Sequence, residues 1–208
     1  MKKIAISQRL ISNQKYFEIR EALDIKWGLL FKELNFLPII LPIEFNYKKI
    51  FENIKIEGII LTGGNDLNVI SKSSLSLKRD NFEKAIIRYG IKKNIPIYGM
   101  CRGMEIITEY FGGSLKKVKG QVGVRQKLNI NNNSKYFSEL IKIKSVNSFH
   151  NYAVDNLPKD LIVSASNKNG IIKAIEHKKY KILSQMWHTE RESKFDKNQV
   201  NLIKNFFN

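Results

Sequence analysis

The chain has a single cysteine, Cys101, in 208 residues. No internal disulfide can form, and such sparse cysteine suits a reducing compartment. Proline is also scarce, with four residues in all, so few segments are barred from the interior of a helix or sheet. Acidic residues number 19 against 36 lysines and arginines, a formal charge of +17. A field of that sign favours anionic partners: nucleotides, nucleic acid or lipid head groups. Arginine supplies only seven of the 36, and Lys, Ile and Asn are heavily used throughout. Solvated lysines are the ordinary protein surface, so this charge does not by itself mark a polyanion site. Long apolar runs are missing too. The longest, Phe36 to Ile43, contains Pro38 and Pro42 and falls far short of the ~20 residues of a membrane helix. Met1-Lys2-Lys3 opens like a leader, but Gln8 and Arg9 interrupt the apolar stretch that must follow. A soluble, cytoplasmic protein is expected, with no membrane partner.

Several recognition modules are lacking as well. There is no zinc-ligand spacing, no G-x-x-x-x-G-K-S/T phosphate loop, no RNP-like aromatic pair and no clear helix-turn-helix. No metal, cofactor or nucleic-acid partner is expected. A basic nucleic-acid-binding protein remains the alternative from outside enzymology, and salt-dependent binding to random DNA is its signature.

What is present is an ordinary globular composition, 43% hydrophobic and 26% charged, in a length that suits one domain over residues 1–208. Strand and helix patterns alternate. Strands are expected at Lys3 to Ser7, Leu37 to Leu41, Gly58 to Thr62 and Pro96 to Gly99. Helical spacing runs from Phe17 to Leu34, Tyr47 to Asn53, Arg79 to Lys92 and Gly103 to Phe111, with a polar loop from Asn65 to Lys78. The second half reads as richer in strands: Gln126 to Ile130, Ile141 to Val146, Leu161 to Ser166, Ile171 to His177 and Lys181 to Trp187. A helix from Lys197 to Phe206 closes the chain. Alternation of this kind implies an α/β fold with a mostly parallel sheet and right-handed crossovers. Ligands then sit at the carboxyl ends of the strands. That places attention on Ser7-Gln8-Arg9, Gly63-Gly64, Cys101 and the segment after Trp187.

Gly99-Met100-Cys101-Arg102-Gly103 follows a strand and precedes a helix. This is the nucleophile-elbow pattern with cysteine in place of serine. The glycines permit the tight turn, and the helix N-terminus favours a thiolate. A free cysteine is more commonly a buried structural residue, but the flanking glycines and the strand-to-helix position favour the nucleophile. Its base must come from three histidines. His177 precedes Lys178-Lys179-Tyr180, near a turn; His150 ends Asn147-Ser148-Phe149-His150; His188 follows a strand and precedes Glu190 by two residues. A carboxylate so placed can fix the tautomer and orientation of the ring. The order Cys101, His188, Glu190 is the candidate triad. Backbone amides of Arg102 and of Gly63 or Gly64 are the candidate oxyanion donors; the plain alternative for Leu61-Thr62-Gly63-Gly64 is a β-turn.

Taken together, Gly58 to Asn65, Pro96 to Met104, Phe111 to Ser114, Val146 to His150 and Gln185 to Glu190 resemble the class I glutamine amidotransferase-like superfamily. The branch most alike is that of the γ-glutamyl-γ-aminobutyrate hydrolases, the C26 peptidase-like group; Arg20 to Asp24 and Trp27 also fit it. The resemblance implies a three-layer α/β/α flavodoxin-like fold. It implies a Cys-His-Glu hydrolase that releases glutamate from a γ-glutamyl amide, with Asn65, Asn147, Ser148 and His150 holding the glutamyl head group. Three departures stand out: Glu105 replaces a usual Gln, Thr189 replaces a usual Pro, which loosens the backbone expected there, and Met186 separates Gln185 from Trp187 where the two are usually adjacent. Glu105 suits either pairing with an α-ammonium group or an altered head-group recognition. The resemblance extends to lysine-rich members that hydrolyse γ-glutamyl-CDP-amidate in capsule synthesis. The substrate expected is therefore a small, anionic, nucleotide-linked γ-glutamyl amide, met by Arg9, Arg20, Arg79 or Arg102 and bound by a monomer or homodimer. A γ-glutamyl-γ-aminobutyrate-type hydrolase and the glutaminase subunit of an amidotransferase are the alternatives.

Overall fold

The structure, a computed structural model, describes residues 1–13 and 15–208. The strands of the first half are β1 (Lys2–Ile6), β2 (Arg9–Asn13), β3 (Glu18–Ala22), β4 (Phe36–Ile40), β5 (Gly58–Leu61) and β6 (Ile97–Met100). The helices among them are α1 (Lys26–Leu34), α2 (Tyr47–Asn53), α3 (Asn68–Ser71), α4 (Ser74–Lys92) and α5 (Arg102–Tyr110). The second half contributes β7 (Leu115–Lys117), β8 (Val122–Gln126), β9 (Asn129–Ile130), α6 (Phe137–Leu140), β10 (Val146–Phe149) and β11 (Tyr152–Val154). It ends with β12 (Leu161–Ser166), β13 (Ile172–His177), β14 (Ile182–Gln185) and α7 (Lys197–Phe207).

An eight-stranded sheet in the order β4-β1-β5-β6-β14-β13-β12-β9 forms the middle layer. From β4 to β14 every pairing is parallel; β13, β12 and β9 continue antiparallel. The parallel part runs second, first, third, fourth, fifth in chain order, the doubly wound flavodoxin-like arrangement. Strand alternation splits the core in two. Ile4, Ile6, Ile60, Tyr98 and Leu183 pack with α1 and α7 on one face. Ala5, Ile59, Leu61, Ile97 and Ile182 pack with α4 and α5 on the other. The three-layer α/β/α expectation holds. Among the described residues no helix is long and apolar enough to cross a membrane.

Four elements differ from the sequence reading. The strand expected at Gln126 to Ile130 is the end of β8 and, after Lys127 and Leu128, the separate β9. The helical spacing from Phe17 to Leu34 is a helix only from Lys26; Glu18–Ala22 instead pairs with Arg9–Asn13 as an antiparallel hairpin. The buried face is carried by Trp27, Leu30, Phe31 and Leu34, so the apolar residues before Asp24 belonged to no helical stripe. Asp24 marks the true start, its carboxylate accepting from the Lys26 amide at 2.9 Å. The polar loop from Asn65 to Lys78 is shorter than expected, because Ser73 caps α4 through the Ser76 amide. The strand expected at Ile141 to Val146 begins only at Val146, after the short α6.

Candidate active site

β6 lies between β5 and β14, and all four of its residues are buried. The Cys101 amide makes the last bond of this ladder, donating to Gln185 O at 2.8 Å. The chain then turns with Cys101 at φ 54° and ψ −108° and enters α5 at Arg102. Both glycines are dictated by contact. A Cβ on Gly103 would lie 2.2 Å from the Leu61 carbonyl oxygen, and one on Gly99 2.7 Å from the Gly103 backbone. Cys101 therefore sits at the carboxyl edge of the sheet, at the floor of a cleft of about 340 Å³, 8% exposed. The Arg102 amide lies in the first turn of α5, where a donor has no acceptor within the helix.

His188 lines the same cleft just beyond β14. Its Nδ1 lies 2.6 Å from Glu190 Oε1. Its Nε2 has no hydrogen-bond partner among the described residues. A Cβ built on Gly63 would stand 2.8 Å from His188 Cε1 and 3.5 Å from Cys101 Cβ, so thiol and imidazole meet over Gly63. Burial alone would lower the His188 pKa, but Cys101 and Glu190 outweigh it and hold it up to about 10. An imidazolium at neutral pH is the histidine half of a thiolate–imidazolium pair. Asn147 anchors this ring from behind. Its side chain accepts from the His188 amide at 2.9 Å and donates to the His188 carbonyl at 2.7 Å. Thr189 does not loosen the turn. It is fully buried, accepts from Gln185 Nε2 at 3.0 Å and donates to Gln199 Oε1 at 3.1 Å.

A buried charge cluster lies beneath the opposite wall. Arg79, on α4, donates to Thr62 O at 2.8 Å and to Gly63 O at 3.1 Å. In a trans peptide the next N–H points opposite the carbonyl, so the Gly63 and Gly64 amides turn away from Arg79. Glu83 accepts from Arg79 Nε at 3.0 Å and also pairs with the Arg102 guanidinium, which reaches Asp80 as well. One carboxylate thus links the residues behind both halves of the candidate oxyanion hole. Arg79 and Arg102 are thereby spent inside the fold, and Arg20 pairs with Glu18 on the exposed hairpin. Of the four arginines named for an anionic group, Arg9 alone lines the cleft without an ion pair among the described residues.

The remaining named residues fall into two groups. Asn65, Asn147, Ser148 and His150 have their side-chain polar atoms committed. Asn65 is bonded to both the amide and carbonyl of Leu10 at 2.9 and 2.8 Å. Ser148 accepts from Lys173 Nζ at 3.0 Å. His150 is held between the Tyr152 carbonyl and Lys173 Nζ, at 2.7 and 2.8 Å. Burial, then Lys173, pushes His150 down to about 4, so the ring is neutral. The glutamyl-holding role expected of this block meets side chains already in use. Asn65 and His150 still line the cleft, as Arg9 and Glu105 do, whereas Asn147 and Ser148 do not. Sequence reasoning missed Asp66, Phe149, Asn151, Tyr152 and Arg191 in the cleft lining, and the buried Lys173 behind it. Arg191 adjoins the His188–Glu190 block and was findable on that ground; Lys173 carried no local signal. His177 is remote, its Nδ1 accepting from the Lys179 and Tyr180 amides.

Burial pushes Glu105 up to about 7, with Asp66 adding to the shift and Arg102 opposing it. The ionised form is the one that pairs with an ammonium group. If it does so, kcat/KM for a γ-glutamyl substrate rises with pH through about 7, and Glu105→Gln flattens that rise. The stability sign is opposite. The folded state keeps the proton between 4.5 and about 7, so this group's contribution is full below that window and lost as pH climbs through it. Glu105→Gln should accordingly raise Tm more at about pH 8 than at about pH 5. Equal shifts at both, measured by calorimetry, would show that Glu105 titrates normally.

Among the described residues no group of three His, Cys, Asp or Glu is placed to hold a metal ion. The Peptidase C26 family signature matches residues 12–190. A γ-glutamyl-CDP-amidate hydrolase of Campylobacter jejuni is 38% identical over 209 residues, covering 98% of this chain and 96% of that one. Among solved structures, a GMP synthase-type protein from Thermoplasma acidophilum superposes with a TM-score of 0.75 at 22% identity, over 100% of this chain and 92% of the other. A glutamine amidotransferase from Thermotoga maritima gives 0.68 at 16%, over 98% and 83%. These two speak for the fold. With the family signature spanning most of its length, the chain belongs to the peptidase C26 family, in the class I glutamine amidotransferase-like fold.

Proposed function

We propose that this protein is a cysteine hydrolase of γ-glutamyl amides, acting on γ-glutamyl-CDP-amidate to release glutamate and cytidine diphosphoramidate for capsule modification. The observation that carries the chemistry is Cys101 at the strand-to-helix turn, meeting a His188 ring whose other nitrogen is 2.6 Å from Glu190. The near-full-length likeness to the Campylobacter jejuni enzyme supports the substrate.

The steps follow from the groups present. Cys101 Sγ attacks the γ-carbonyl carbon, and the amides of Arg102 and of Gly63 or Gly64 receive the oxyanion. Protonated His188 gives its Nε2 proton to the departing nitrogen, the C–N bond breaks, and a glutamyl thioester remains. His188, now neutral, takes a proton from water as that water attacks the thioester. Glutamate leaves and the thiolate–imidazolium pair is restored. Glu190 keeps the ring oriented throughout.

Glutamate release from glutamine, γ-glutamyl-γ-aminobutyrate and γ-glutamyl-CDP-amidate tests the reading. The nucleotide-linked substrate should have a kcat/KM at least about 100-fold above the other two, a difference typical of a site built around a charged group. Preference for free glutamine would make the chain a glutaminase subunit instead.

A further inference from the structure

The cleft is unevenly charged. Glu105 is buried in its wall, whereas Arg9, Arg191 and Asp66 are exposed on it. Both arginines also line a small adjoining slot beside Gly63, Gly64 and Trp27, so they form the rim shared by two openings. Arg9 lies across Gly64: a Cβ there would be 3.1 Å from Arg9 Cβ and 3.2 Å from its Nε. Gly64, at φ 93°, is the residue that lets this side chain pass. Among the described residues Arg9 makes no ion pair. Arg191 is held differently. Its guanidinium sits 5.4 Å from the centre of the Phe149 ring, and that ring is 6.2 Å from the His188 ring. Its Nε is 3.8 Å from Glu190 Oε1, too long for a hydrogen bond.

We propose that Arg9 and Arg191, the latter seated on Phe149, form the leaving-group subsite, and that it takes an amine bearing a phosphate or diphosphate. The direction of proton transfer orients the substrate. The departing nitrogen receives its proton from His188, so the group attached to it lies on the His188 side. That side is flanked by Phe149 with Arg191 and, across Gly63 and Gly64, by Arg9. An anion placed inward would meet the buried Glu105; placed outward it meets two guanidinium groups, each able to bind phosphate oxygens in pairs, against the one exposed carboxylate of Asp66. When the phosphorus is bonded directly to the departing nitrogen, its oxygens stand next to the reacting bond, within reach of the same rim. A cationic amine as leaving group is repelled by this rim, which separates the proposed substrate from γ-glutamyl polyamines.

The subsite rests on the γ-glutamyl hydrolase reading for its orientation, yet it can be tested apart from it. Calorimetric titration of the whole protein with CDP should show binding that weakens roughly tenfold or more in Arg9→Gln and in Arg191→Gln, and that falls with added salt. With γ-glutamyl-CDP-amidate, each variant should raise KM at least about ten times more than it raises KM for γ-glutamyl-methylamide. Absence of CDP binding to the unmodified protein, or variants that bind it as tightly, overturns the subsite. If γ-glutamyl-CDP-amidate is not hydrolysed while CDP binding still depends on both arginines, the substrate reading falls and the subsite stands. If it is hydrolysed and both KM values move together, the reading stands and the subsite falls.

Discussion

Replacing Cys101 by alanine is expected to cut glutamate release by about 10⁴-fold or more, with the fold intact; replacing it by glycine should leave the enzyme just as inactive but more heat-stable than the alanine variant. The first result follows from the removal of the nucleophile. The second follows from the backbone. Cys101 is held at φ 54° and ψ −108°, a conformation that costs a residue with a Cβ about 1–3 kcal/mol. Alanine keeps that Cβ and glycine does not. Glycine loses about 0.5–1 kcal/mol of this gain through its freer unfolded chain. A net advantage of about 1 kcal/mol remains, which for a chain of this size is a Tm difference of about 2–4 °C. Thermal melts of the two variants, measured side by side, decide the point. A glycine variant that melts below the alanine variant would mean that the elbow stores no strain.

Glu83→Gln should be the most damaging change away from the cleft lining. Glu83 is fully buried and lies between Arg79 and Arg102, also buried. Its neutralisation leaves two guanidinium groups with too little countercharge, and breaking a buried pair in this way costs about 3–5 kcal/mol. Catalysis should suffer as well. Arg79 is the group that fixes the Thr62 and Gly63 carbonyls, and losing one oxyanion donor lowers kcat by about 10²–10³-fold. KM should change little, since the amides act on the transition state. Arg79→Lys is the gentler companion: it keeps the charge but cannot span both carbonyls, so it should fold and still lose kcat. Wild-type kcat in a folded Arg79→Lys protein would show that the glycine amides orient themselves without this brace.

Much of the fold was legible because the parallel strands are short apolar segments separated by turn residues. Tyr47–Asn53 and Leu161–Ser166 begin and end where the sequence places them. The candidate triad was legible for another reason: glycine, cysteine, histidine and glutamate mark their own positions. What escaped notice was set by tertiary pairing. The Glu18–Ala22 strand lay inside a stretch with false helical spacing, and its partner Arg9–Asn13 was read as no element at all. On α4, Phe82, Ala85, Ile86 and Tyr89 carry the apolar helical spacing, yet the most deeply buried side chains include Arg79 and Glu83. Hydrophobic periodicity cannot register a face that is buried by charge pairing; the i,i+4 spacing of Arg79 and Glu83 was the one local sign. The tasks of Asn65 and Asn147 were likewise invisible, because their partners Leu10 and His188 are 55 and 41 residues away.

The tight stacking of Gly103 on the Leu61 carbonyl leaves no room for any side chain, and this bears on how such proteins diversify. The turn that presents the thiol is a fixed part, intolerant of variation, while Arg9 and Arg191 occupy exposed positions where many residues fit. Natural selection or directed evolution can therefore retune which amine departs by rewriting the rim, with the bond-breaking apparatus inherited unchanged.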